Sequence, residues 1–121
     1  MGPVDNVLID ARARVLADLS ARDTATVTAV SALEDSVSSR EWWARQWPQG
    51  VVYVAGLVAQ DVQDALFEDF GRWPVCLHCP GPAHSLYIQP DLGGPDPVWV
   101  CEESGDVVAP LGDLARWGRS G

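Results

Sequence analysis

Apolar residues at Val4, Val7, Leu8, Ala11, Val15 and Leu19 recur at steps of three and four, which predicts an amphipathic helix over residues 4–21. Asp10, Arg14, Asp18 and Arg22 fall largely off that stripe and read as its solvent face. The next stretch, residues 24–33, is dense in threonine and valine and reads as a strand that ends in a turn at Glu34, Asp35 and Ser36. Residues 37–47 then read as its antiparallel partner, with a short helix opened by Ser38 and Glu41 and stopped before Pro48 as the alternative. A stronger helix follows within residues 50–70, where Val54, Leu57, Val58, Val62, Ala65, Leu66 and Phe70 form the apolar stripe and Gly71 closes the element.

Beyond Gly71 the pattern changes. Seven of the nine prolines lie between Trp73 and Pro110, helical periodicity stops, and short extended pieces appear at 86–89, 98–101 and 107–109. Residues 91–97, DLGGPDP, are turn-rich and join the first two pieces as a hairpin. The expected fold is α+β: two helices and a small antiparallel β element over residues 1–71, then a β subdomain over residues 72–121, the two packed as one unit.

Charge narrows the function classes. Seventeen Asp and Glu against eight basic residues give a formal net charge of −9, and the eight arginines are dispersed along the chain, so direct nucleic-acid binding is disfavoured. Lysine is absent while Arg, Ala, Val, Asp, Gly and Pro are abundant, a composition typical of high-GC bacterial coding. The longest apolar run, residues 51–59, is far short of the roughly 20 residues that span a bilayer. The first ten residues have no basic stretch followed by an apolar one, so a cytoplasmic protein without membrane contact is expected.

Candidate chemistry concentrates in residues 73–105, which hold all three cysteines and both histidines. In a reducing compartment, three closely spaced cysteines read as metal ligands before disulfides, and an odd count leaves one unpaired in any disulfide scheme. Cys76 and Cys79 are separated by two residues, so both sulfurs can reach one ion from a single tight turn. Across the hairpin, Cys101-Glu-Glu-Ser104-Gly105 resembles the second knuckle of zinc-ribbon proteins, with Ser104 where a fourth cysteine would stand. A serine hydroxyl is a poor zinc ligand, so His84 is the chosen completion, and the set Cys76, Cys79, His84 and Cys101 implies a closed, structural Zn2+ site. His78, between two knuckle ligands, is the less favoured histidine. The arrangement of Trp73-Pro74, Cys76, His84, Leu86, Trp99 and Cys101 also resembles small proteins of high-GC bacteria, a likeness that supplies no function.

Three function classes remain. The first is a non-enzymatic protein-binding or adaptor protein, with Trp42, Trp43 and Trp47 as a partner-contact patch for a protein of unknown identity. The second is a thiol-disulfide oxidoreductase using Cys76 and Cys79, weakened by the Pro80-Gly81-Pro82 run that opposes the required helix N-terminus. The third is an acidic inhibitor that imitates nucleic acid, resting on net charge alone. Asp61, Asp64 and Glu68 share one helical face and are read as a solvated row rather than an acid/base pair. No catalytic residue is nominated.

Overall fold

Pro3, whose fixed φ suits a first helical turn, begins α1, which spans Pro3–Ala21. A computed structural model of the chain describes residues 2–69, 71–76, 84–89 and 96–117. α2 covers Val27–Gln46, a 3-10 helix covers Pro48–Tyr53, α3 covers Val54–Asp69, and the short α4 covers Leu114–Trp117. Between α3 and α4 lie β1 (Leu86–Gln89), β2 (Val98–Cys101) and β3 (Val107–Pro110). The three strands form one antiparallel sheet in the order β1-β2-β3. The protein is therefore α+β, with its long helices before the strands and the short α4 after them.

The two strands expected over residues 24–33 and 37–47 are instead one helix, α2. Thr26 is its N-cap, and the threonine hydroxyl accepts the Ala29 N–H at 3.2 Å. Threonine that reads as strand composition therefore serves as a helix start. Ala29, Leu33, Ser36 and Ala44 form the buried side of α2. The expected turn at Glu34, Asp35 and Ser36 lies mid-helix, where Ser36 is buried and donates to Asp61 at 2.8 Å. Arg40 adds a bidentate pair to the same carboxylate, 2.8 Å on each arm, so α2 and α3 are joined by polar contacts as well as apolar ones.

The 3-10 helix turns the chain from α2 into α3, and its tightness depends on Gly50. A Cβ there would stand 2.6 Å from Trp43 Cη2 and 2.7 Å from Trp47 Cε3, so the indoles pack where a side chain would be. In α3, Val54, Val58, Val62 and Leu66 are buried as the stripe predicts, while Ala65 is exposed. Gly71, at φ 97°, ends the element by donating its N–H to the Leu66 carbonyl. Phe70 and the turn residues 91–95 lie outside the described residues.

One apolar core runs through both parts, from Val15 and Leu19 of α1, Leu33 of α2 and Leu66 of α3 to Leu86, Trp99 and Leu114. Trp73 packs edge-on against Trp99, ring centroids 5.5 Å apart. Asp18 departs from the expected solvent face of α1. It is buried and accepts the Trp99 indole N–H at 2.7 Å and the N–H groups of Gly112 and Leu114 at 2.7 and 3.0 Å. Among the described residues, no helix is long and apolar enough to cross a membrane.

Candidate metal centre

Cys76 and His84 meet because the chain pairs with itself before β1 begins. Leu86 donates to the Pro74 carbonyl at 2.8 Å, Val75 bridges Ser85, and Cys76 donates to the His84 carbonyl at 2.9 Å. Residues 74–76 thus lie antiparallel beside 84–86, with Cys76 opposite His84. On the other side, Leu86 is the register partner of Cys101, and Glu102 donates to the Ser85 carbonyl. Side chains of opposed residues share a face of a pleated sheet, and so do residues two apart. Cys76, His84, Leu86 and Cys101 therefore fall on one face, and Val75, Ser85 and Glu102 on the other.

That shared face is turned toward the core. Cys76 is 7% exposed, His84 6% and Cys101 1%. One ligand atom from each lies within 4.8 Å of the others, and His84 Nε2 is 3.3 Å from Cys101 Sγ. A tetrahedron with ordinary Zn–S and Zn–N bond lengths requires S···N and S···S separations of about 3.6 and 3.8 Å. The three donors are thus converged to within a small adjustment of what one ion requires. Two sulfurs and an imidazole suit a borderline-soft ion such as zinc and not a hard cation such as calcium or magnesium.

The turn after β2 completes the surroundings of Cys101. Gly105, at φ 77°, donates to the Cys101 carbonyl, while Cys101 donates to the Asp106 carbonyl, both at 2.9 Å. The turn also aims the Ser104 N–H at Cys101 Sγ, 3.4 Å away, a donor that favours the anionic sulfur a metal requires. The Ser104 hydroxyl accepts the Asp106 N–H at 3.2 Å. Serine here closes the turn.

The expected ligands Cys76, His84 and Cys101 are brought together. Cys79, the fourth, and His78, its rejected neighbour, lie outside the described residues, as does the Pro80-Gly81-Pro82 run. The tryptophans predicted as a contact patch sit on and just beyond the last turn of α2. Trp42 is 68% exposed and Trp47 45%, while Trp43 is half-buried beneath Arg40. Trp47 stacks on Tyr53 with centroids 5.9 Å apart and meets Trp43 edge-on at 5.3 Å. In the acidic row, Asp61 is tied to Ser36 and Arg40, and Asp64 and Glu68 are exposed.

Two residues near this region were placed wrongly by their sequence pattern. Asp18 and Arg22 both turn inward from α1, and Arg22 Nη1 donates to the Val75 carbonyl at 2.7 Å. Burial pushes the Asp18 carboxyl above its ordinary value, against the downward pull of its three hydrogen bonds. The signal for both was present in the spacing: Ala11, Val15, Asp18 and Arg22 follow one another at four, three and four residues, a single helical face.

The family described as a domain of unknown function (DUF8819) matches residues 4–111, from α1 through β3. No curated protein and no solved structure matches the chain.

Proposed function

Because the chain belongs to the DUF8819 family, whose description names no activity, we propose from its residues that it is a non-enzymatic protein-binding or adaptor protein built around a structural zinc site. Cys76, Cys79, His84 and Cys101 are the ligands, three thiolates and one neutral imidazole, which fill a tetrahedron and leave no position for substrate. The observation that carries this reading is the convergence of Cys76, His84 and Cys101, three donors from three segments, buried on one face and within 4.8 Å. Cys79 enters through its spacing from Cys76, and the resemblance of residues 101–105 to a zinc-ribbon knuckle supports the same assignment. A reducing cytoplasm fits such a site because it keeps the thiols available to the metal.

The binding function rests on the exposed indoles of Trp42 and Trp47 at the end of α2, opposite in kind to the buried aromatics of the sheet. Tryptophan is enriched at the centres of protein contacts. The uncompensated acidic charge of the chain favours a protein partner over nucleic acid.

Metal analysis of the purified chain tests the assignment. One zinc per chain is expected, lost in Cys76→Ser, Cys79→Ser and Cys101→Ser and strongly weakened in His84→Ala, with His78→Ala unaffected. A metal-free protein with a reversible Cys76–Cys79 disulfide points instead to thiol exchange. Full zinc affinity in His84→Ala together with loss in His78→Ala assigns the imidazole to His78.

A further inference from the structure

Arg22, at the C-terminal end of α1, reaches a residue 53 positions away in the chain. Its Nη1 holds the carbonyl of Val75, the residue that precedes Cys76. The other arm, Nη2, is buried and has no hydrogen-bond partner among the described residues. A guanidinium stays charged at any pH a protein tolerates, so a cation with one buried arm free of hydrogen bonds among the described residues stands against the residue that precedes Cys76. Burial alone lowers its proton affinity, and the negative charges of Asp18 and Cys76 act in the opposite sense.

Three thiolates and a neutral imidazole around one Zn2+ leave a net charge of −1. With Cys76, His84 and Cys101 all buried, such a centre is disfavoured unless a cation stands near it. Arg12, Arg14, Arg40 and Arg45 are each engaged by carboxylates elsewhere on the helices, at Glu34, Asp10, Asp61 and the Asp5–Glu41 pair. Arg22 instead makes its hydrogen bond to the backbone of the cysteine segment, where its charge faces Asp18 and Cys76. We propose that Arg22 is a positioning and charge-compensating residue of the metal centre, fixing the Cys76 segment through the Val75 carbonyl and offsetting the negative thiolate set. Metal occupancy is thereby coupled to the docking of α1 on the sheet. This inference rests on the zinc reading above.

The test separates charge from hydrogen bonding. Zinc affinity is measured by chelator competition on the full chain, wild type against Arg22→Gln, Arg22→Lys and the surface control Arg12→Gln. Glutamine retains an N–H donor for Val75 but no charge, and its zinc affinity is expected to fall by about 10- to 100-fold, the usual effect of outer-shell changes. Lysine retains the charge and is expected to stay within about threefold of wild type, and Arg12→Gln to match it. Equal zinc affinity in Arg22→Gln and wild type overturns the inference while leaving the zinc site standing. Should Arg22→Gln fail to fold, Arg22→Lys decides alone, since a loss of tenfold or more there rules out charge compensation. A wild-type chain that takes up no zinc removes the metal reading itself, and this inference with it.

Discussion

Residues 3–69 and residues 72–111 reach a folded state by different means. The helices satisfy their own backbone hydrogen bonds, so each needs only an apolar stripe facing its neighbours, and Leu33, Val58, Val62 and Leu66 supply that. The strands are four residues each, shorter than the usual five or six, and the segments that lead into them borrow support from outside. Gln63 of α3 donates to the carbonyls of Trp73 and Leu86 at 3.1 and 2.9 Å. Asp18 of α1 and Arg22, which caps it, hold Trp99, Gly112, Leu114 and Val75. Burial supplies most of what holds the first part, with the Ser36–Asp61–Arg40 contact added between α2 and α3, whereas the second is pinned by long-range polar contacts and, as proposed, by a metal. Small β elements rarely gather enough apolar area to stand without such staples.

Chelation should expose this difference most sharply. Structural zinc contributes apparent binding energies of about 10–16 kcal/mol in small zinc domains. Removing it is expected to abolish the near-ultraviolet signal of Trp73 and Trp99 while much of the far-ultraviolet helical signal persists. Equal loss of both signals in one transition joins the two parts into a single cooperative unit and contradicts a metal-specific role for the sheet.

A cavity in the helical part should do the reverse. Leu33 is fully buried, so Leu33→Ala is expected to cost about 2–5 kcal/mol in denaturant unfolding, with zinc stoichiometry unchanged. Loss of zinc in this variant places the metal centre downstream of helix packing.

Asp18→Asn sharpens the comparison at the seam. The amide can replace only part of a carboxylate that serves three donors, so a loss of about 1–3 kcal/mol is expected. The pH dependence has a definite sign. The folded carboxyl is raised above 3.8, so the native state holds its proton more tightly than the unfolded chain does. The wild-type contribution is therefore greatest at low pH and declines as pH rises from 3.8 through the folded value. Thermal unfolding of the two chains should show their gap narrowing over that window, and a widening gap contradicts the raised carboxyl. The smallest stability effect belongs to Trp42→Ala: with its indole at the surface, unfolding should shift by no more than about 0.5 kcal/mol.

The same division marks what the sequence makes legible. α1, α3 and all three strands are visible in periodicity and breaks, because their apolar spacing is regular and Gly71 and the prolines mark where it stops. α2 is not, because its inner face uses Ser36 and Arg40 where an apolar residue would keep the period, and its threonines sit at the start. At the site, cysteine and histidine chemistry nominates Cys76, Cys79, His84 and Cys101 from the chain alone; the fold brings Cys76, His84 and Cys101 together through the pairing of residues 74–76 with 84–86, and Cys79 lies outside the described residues. Asp18 and Arg22 share a helical face with Ala11 and Val15, a signal present in the spacing, but a charged residue is ordinarily assigned to solvent, and the partners that hold these two inward come from distant parts of the chain.

X-ray absorption at the zinc edge on the purified chain tests the central claim most directly. One zinc with three sulfurs at about 2.3 Å and one nitrogen at about 2.0–2.1 Å is expected. A spectrum with only oxygen and nitrogen neighbours, or a protein that arrives without zinc and does not take it up, contradicts it.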